Sequence, residues 1–127
     1  MPQSPKKMAS PGLSHLRVTL TDGFYLGPGR ADLMELIAET GSISAAGKRM
    51  GMSYKRAWSL VQALNDGFGR PLIETSRGGA AQGGAALTPL GAEVLQHYRQ
   101  MQAATRQAIA GDVAAITALM IDMSQKK

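Results

Sequence analysis

Cysteine is absent from the 127-residue sequence, which excludes a disulfide scaffold and thiolate metal sites. The absence fits a reducing compartment, and we expect a cytoplasmic protein. Only two histidines occur, His15 and His97, and neither has a second histidine at ligand spacing, so we predict no metal site. No apolar run approaches the roughly 20 residues of a membrane span, so no membrane partner is expected. No Ser-His-acid set is visible either, and we predict that the chain is not an enzyme.

Positive charge is present, and it is concentrated in the middle of the sequence. Residues 1–40 sum to zero net charge, whereas residues 41–88 carry six basic side chains against two acidic ones. Nearly all of the formal net charge of +5 therefore lies in this middle segment. Such a distribution is typical of a protein that binds a polyanion, although a solvated basic surface is the alternative from charge alone.

Residues 42–64, SISAAGKRMGMSYKRAWSLVQAL, predict two short helices joined by a tight turn. Ser44 is suited to cap a helix over 45–50, and Ser53 is suited to cap a second helix that runs to about residue 65. Gly51 between them permits a turn with positive φ. This pattern indicates a helix-turn-helix whose second helix enters the DNA major groove. An ordinary pair of core helices is the alternative.

The second of these helices divides into two stripes. The predicted buried stripe comprises Ala57, Val61 and Leu64, and the opposite stripe comprises Lys55, Ser59 and Gln62. Trp58, the only tryptophan, is expected to pack in the core, under a wing or against the first helix, rather than to stack on a base. Tyr54 lies at the exposed start of the helix, where base or phosphate contact and simple surface packing are equally plausible.

Short strands and further helices flank this motif. Alternation over residues 16–20, a turn at Asp22-Gly23 and an apolar segment at 24–26 predict a hairpin, which a helix over 30–40 follows. Residues 71–75 and 85–87 predict a second hairpin. Its glycine-rich tip would form a wing that carries Arg77. Thr88-Pro89 is a typical helix start, and Gly111-Asp112 is expected to break the long helix before a last one.

The long helix carries an apolar stripe with spacings of three and four residues, typical of a seam between two helices. The residues predicted to pair two subunits are Leu90, Val94, Tyr98, Met101, Thr105 and Ile109. The predicted fold is thus mainly α with a small β wing. We expect a disordered arm over residues 1–12, a winged helix-turn-helix with a short N-terminal hairpin over 13–88, and dimerisation helices over 89–127.

Four motifs follow one another in the chain: GSISAAGKRMGMSYKRAW, NDGFGRPLIE, a glycine-rich loop and ALTPLG. Together they resemble the N-terminal DNA-binding domain of molybdate-responsive (ModE-type) transcription regulators and, more distantly, the winged helix-turn-helix of LysR-type regulators. The resemblance covers roughly residues 16–110. It implies a dimer whose third helix begins with Ser53, Tyr54 and Lys55 and reads the major groove, with Arg77 in the wing.

ModE-type regulators continue into oxyanion-binding domains, for which residues 111–127 are too few. We therefore predict no cofactor within this chain. Whether molybdate is its effector stays open.

The function predicted from these features is that of a DNA-binding transcriptional regulator with a possible link to molybdenum metabolism. A homodimer would read an inverted repeat in double-stranded DNA. The residues predicted to contact DNA are Ser44, Lys48, Ser53, Tyr54, Lys55, Arg56, Ser59 and Arg77. The alternative is a winged-helix interaction module that dimerises or docks a separate sensor protein without specific DNA binding. The position of the excess charge favours the first interpretation.

Overall fold

A computed structural model describes residues 12–76 and 84–125 of the chain, and the side chains up to residue 120. The elements in chain order are β1 (Val18–Thr21), β2 (Phe24–Leu26), α1 (Pro28–Thr40), α2 (Ile43–Arg49), α3 (Tyr54–Phe68), β3 (Ile73–Ser76), β4 (Gly84–Leu87) and α4 (Pro89–Gln125). β1 pairs antiparallel with β2, and β3 pairs antiparallel with β4. The predicted fold class, mainly helical with small hairpins, is confirmed. Residues 17–99 form one compact unit, and the described parts of residues 1–16 and 100–127 form a second.

The N-terminal hairpin buries its second strand rather than its first. Phe24 and Leu26 are each only 3% exposed, whereas Leu20 on β1 is 46% exposed. Alternation of the kind seen over residues 16–20 is typical of a strand with one half-buried face, and Leu20 does not follow that pattern. Phe24 packs edge-on against Phe68 at the end of α3, with ring centroids 6.0 Å apart. A Cβ at Gly67 would collide with the Phe24 ring, so this contact requires glycine.

Tyr25 connects the same hairpin to the start of α1. The guanidinium groups of Arg17 and Arg30 lie 3.7 Å and 4.0 Å from the centroid of its ring, within the range of cation–π attraction. Arg30 Nη1 also donates a hydrogen bond to the Tyr25 carbonyl oxygen at 3.1 Å. The first turn of α1 is thereby held to β2.

α1 and α3 provide the apolar centre of the 17–99 unit. Helix α1 begins at Pro28, two residues earlier than predicted, and ends at Gly41, whose φ of 73° is left-handed. The most buried side chains of the two helices, each at most 1% exposed, are Ala31, Leu33, Met34, Ile37, Ala57, Val61 and Leu64. The predicted buried stripe of α3 is confirmed. Helix α3 continues three residues beyond the predicted end because Gly69, with φ of 86°, is its terminator.

The β3–β4 hairpin is fixed at its base by one side chain of α3. Asn65 Oδ1 accepts hydrogen bonds from the backbone N–H groups of Leu72 and Ile73 at 2.8 Å and 3.1 Å, and Asn65 Nδ2 donates to the Ile73 carbonyl at 3.0 Å. These bonds satisfy backbone groups where β3 begins. They orient the hairpin relative to the helix.

Helix α4 starts as the sequence predicts. Thr88 Oγ1 accepts a hydrogen bond from Gly91 N–H at 2.9 Å, which caps the helix, and Pro89 occupies its first position. Gly91 packs against the Leu72 backbone so closely that a Cβ there would collide with it. The start of α4 is therefore seated on the base of the hairpin.

The predicted helix break at Gly111-Asp112 is wrong, because α4 is continuous from Pro89 to Gln125. Glycine in a helix interior costs only about 0.5–1 kcal/mol relative to alanine. The surrounding alanines, among the strongest helix formers, offset that cost. Neither α4 nor any other helix of the described residues combines the length and apolar character that a bilayer span requires.

Within the 17–99 unit, Tyr98 and Arg99 hold the first part of α4 against the other elements of that unit. Tyr98 is 1% exposed, and burial raises the pKa of its hydroxyl. Arg99 Nη2 lies 2.9 Å from Asp32 Oδ1 and 2.7 Å from Glu35 Oε1, both on α1. Burial lowers the pKa of Arg99, but the hydrogen bonds to the two carboxylates outweigh it and the pKa is raised.

Candidate nucleic-acid interface

Helix α2 begins at Ile43 and is capped by Ser42, not by Ser44 as predicted. Ser42 has the extended backbone of an N-cap, and its Oγ accepts a hydrogen bond from the Ala45 N–H at 3.0 Å. Ser44 lies one residue inside the helix, where its side chain is exposed. Both serines are chemically suited to cap, and the choice depends on where the left-handed Gly41 ends α1.

The turn between α2 and α3 has the close geometry that the sequence predicts. A Cβ at Gly47 would lie 2.9 Å from the Ala57 Cβ and 3.5 Å from Met52 Cγ, so the two helices meet at a glycine. Met52 N–H donates to the Gly47 carbonyl at 2.9 Å. Gly51 adopts φ of 73°, a left-handed conformation that side chains rarely tolerate. These contacts set the angle at which α3 leaves the turn.

The N-terminal end of α3 is capped and open to solvent. Ser53 Oγ accepts a hydrogen bond from Arg56 N–H at 3.1 Å, and Tyr54 is 56% exposed. Lys55, Arg56 and Ser59 are exposed too. Uncapped N–H groups of the first turn and the positive end of the helix dipole favour an anion at this position.

The cations around this end carry uncompensated charge within the part of the chain that the structure describes. There, Lys48, Lys55 and Arg56 form no ion pair with a carboxylate. Arg49 pairs with Glu39 at 3.4 Å, but both side chains are more than half exposed, so the pair contributes little to stability. The cluster is therefore available to an external anion.

Arg77, the predicted DNA contact in the wing, lies outside the described residues. The hairpin that leads to it is in register from Ile73 opposite Leu87 to Ser76 opposite Gly84. The strands of the predicted wing are thus present.

Trp58 is 38% exposed, so it is not fully buried as a core residue would be. Because Trp58 lies between the buried stripe and the outward stripe of α3, the sequence is compatible with a position in the core or on the surface. The signal that pointed outward was its spacing of one helical turn from the exposed Tyr54. Sequence reasoning therefore missed a large aromatic group on the surface of α3.

The residues predicted to pair two subunits fall into two groups. Tyr98 is buried within the 17–99 unit, whereas the other five are half-buried: Leu90, Val94, Met101, Thr105 and Ile109. The largest exposed apolar side chains of α4 lie further along the helix, where Ile116, Leu119 and Met120 are 60–65% exposed. Among the residues that the structure describes, no cluster of three or more potential metal ligands occurs.

Residues 31–92 match the family model of the bacterial regulatory helix-turn-helix proteins of the lysR family. A chain in a crystal structure of the CbnR DNA-binding domain in complex with DNA has a TM-score of 0.54 and 27% identity. The alignment covers 71% of this chain and 95% of that one. These findings define the class of domain: residues 31–92 are similar to the helix-turn-helix of lysR-type regulatory proteins, and the structure is similar to a DNA-binding domain of known structure. That family comprises regulatory proteins, in agreement with the prediction that the chain is not an enzyme.

Within that class the chain is similar to the ModE-type proteins, as the four motifs predict. The molybdenum-pterin-binding protein MopB of Rhodobacter capsulatus is 43% identical over 81 residues, 64% of this chain and 30% of that protein. The DNA-binding transcriptional dual regulator ModE of Escherichia coli (strain K12) is 37% identical over 83 residues, 65% of this chain. The chain spans 32% of that relative's length.

Proposed function

We propose that this chain is a DNA-binding regulator that inserts α3 into the major groove of double-stranded DNA. One observation carries the proposal: the exposed N-terminal end of α3, with its cations unpaired among the described residues, lies within the LysR-type helix-turn-helix domain. The DNA in the complex of the similar CbnR domain supports the same partner here. Such a regulator acts where the bacterial chromosome is, in the cytoplasm.

The side chains divide by chemistry into two roles. Lys48, Lys55, Arg56 and the wing residue Arg77 are cations suited to bind phosphates and fix the register of the protein on the duplex. Ser53, Tyr54 and Ser59 offer hydroxyl groups, and those reaching base edges would supply specificity. Ser44 is exposed at the start of α2, where its hydroxyl is suited to a phosphate oxygen.

The regulator is proposed to act as a homodimer paired through α4. The exposed apolar side chains of Ile116, Leu119 and Met120 support this, because pairing two helices would remove their apolar surface from water and stabilise the dimer. Two-fold pairing would set two copies of α3 about one duplex turn apart, roughly 34 Å, or a multiple of it. The operator would then be an inverted repeat.

A link to molybdenum metabolism is the physiological context that the relatives support. Their names refer to molybdenum-pterin binding and to ModE regulation. The chain corresponds to 30–32% of their lengths, so their other activities are not assigned to it. The genes nearest to selected binding sites would test this context.

Selection of bound duplexes from a random pool tests the proposed function. Two copies of a half-site in inverted orientation are expected, because a two-fold dimer presents the same helix twice. Enrichment of a single, unrepeated half-site would contradict the dimer, and no enrichment at all would contradict specific DNA recognition. Sedimentation of the free protein at the same concentration provides an independent measure of dimer formation.

The same exposed apolar face of α4 favours one other candidate, an interaction module that docks a separate sensor protein. That candidate predicts stable association through α4 and no sequence enrichment in the selection. The two experiments above therefore distinguish the candidates.

A further inference from the structure

Tyr54 and Trp58 form an exposed aromatic row on α3. They are 56% and 38% exposed, and they stand one helical turn apart, with Cβ atoms about 5–6 Å from each other. Elsewhere among the described residues, large exposed apolar side chains occur only at Leu20 and on the far part of α4. Helix α3 therefore presents two aromatic side chains to solvent.

The row lies beside the outward stripe of α3, on the flank that faces the hairpin. Trp58 precedes Asn65 by seven residues, which places the two side chains within about 20° of each other around the helix. Asn65 binds the backbone of β3, so this flank is directed toward the β3–β4 hairpin. Ser59 follows Trp58 by about 100° around the axis, which places it in the outward stripe.

A partner for this row must accept both aromatic surface and positive charge. Lys55 lies beside the row and has no carboxylate partner among the described residues, which disfavours an apolar or basic protein surface. The major groove of duplex DNA combines negative potential with apolar groups, because each thymine presents its C5-methyl there. Tyr and Trp also carry a polar O–H or N–H that a base edge can accept.

We propose that Tyr54 and Trp58 are specificity-determining residues that pack on thymine methyl groups and select A·T pairs within each half-site. The inference rests on the proposed function and deepens it. Ser53 and Ser59 would contact neighbouring base edges, whereas the aromatic row would sense the methyl groups. Arg56 lies on the other side of α3 and would contribute affinity without sequence preference.

Removal of single methyl groups tests the proposal. In the selected duplex each thymine is replaced in turn by deoxyuridine, which lacks only the C5-methyl. At one or two positions per half-site, wild-type affinity should fall about four-fold, the value expected for one buried methyl group. In Trp58→Gln or Tyr54→Ala the loss at the corresponding position should disappear. Arg56→Ala is the matched control, because it should weaken binding to both duplexes by the same factor.

Trp58 fluorescence provides a second readout that does not need a variant. It is the only tryptophan of the chain, so the emission reports on this side chain alone. Binding of the selected duplex should quench or shift the emission, and an unrelated duplex bound at low salt should change it less.

The possible failures are distinguishable. If no duplex is bound specifically, the proposed function and this inference are both overturned. If the selected duplex binds in an Arg56-dependent manner, but deoxyuridine has equal effects on wild type and Trp58→Gln and the emission is unchanged, only this inference is overturned.

Discussion

Gly47 sets the distance between α2 and α3. Its hydrogen occupies the place where a Cβ would stand 2.9 Å from the Ala57 Cβ, closer than two carbon atoms pack without displacement. Gly111 on α4 is also helical, but a Cβ there would meet nothing within 4 Å. Both glycines thus have a helical backbone, but only Gly47 has a neighbouring side chain at the position that a Cβ would take. One is required by packing, and the other only weakens its helix.

The effect of a Gly→Ala substitution on the free energy of unfolding should therefore have opposite signs at these two positions. Gly47→Ala should lower the free energy of unfolding by about 1–3 kcal/mol, since overpacking outweighs the gain in helix propensity. Gly111→Ala should raise it by about 0.5–1 kcal/mol, because only propensity changes. Urea denaturation of both variants measures the difference. Equal effects of the two variants would refute the close α2–α3 contact.

At the scale of elements, the sequence predicts most of the fold because caps and turns are local. Ser53 and Thr88 cap the helices they were predicted to cap, and Gly51 adopts the positive φ expected of it. The errors arise where the outcome depends on distant residues. Ser42 displaces Ser44 as a cap because of where α1 ends. Trp58 lies between the buried and the outward stripe of α3. Whether it is buried or exposed depends on the elements that pack beside the helix, and the local sequence does not determine their positions.

The junction of α3 with the β3–β4 hairpin depends on the side-chain amide of Asn65. Asn65→Ala removes three hydrogen bonds and leaves the N–H groups of Leu72 and Ile73 without this acceptor. The free energy of unfolding should fall by about 2–3 kcal/mol. Gln62→Ala, an exposed position on the same helix, should change it by less than about 0.5 kcal/mol. Thermal or urea unfolding followed by circular dichroism provides the comparison. A similar stability for both variants would mean that the hairpin is held by other contacts.

At the scale of the whole molecule, the distribution of charge supports a polyanion as the partner. The excess positive charge lies in residues 41–88, and the described part of that segment contains α2, α3 and the strands of the hairpin. The DNA contacts of its individual residues stay predictions, as do the dimer and the role of Arg77.

Phosphate contacts of this kind make binding depend on salt. If a dimer neutralises about 8 phosphates, the logarithm of affinity should fall with the logarithm of salt concentration at a slope of roughly −7. Fluorescence anisotropy of a labelled selected duplex, titrated between about 50 and 200 mM salt, gives the slope. A slope near zero would contradict an electrostatic interface.

The central claim is that the N-terminal end of α3 binds DNA, and two matched arginines test it most directly. Arg56 and Arg106 are both exposed, one on α3 and the other on α4. Affinity for the selected duplex is measured for wild type, Arg56→Ala and Arg106→Ala at one salt concentration. The account predicts a loss of about ten-fold or more for Arg56→Ala, since a charged hydrogen bond to phosphate is removed from each subunit. Arg106→Ala should bind like wild type. Equal losses in the two variants, or no loss in Arg56→Ala, would contradict the assignment of α3 as the recognition helix.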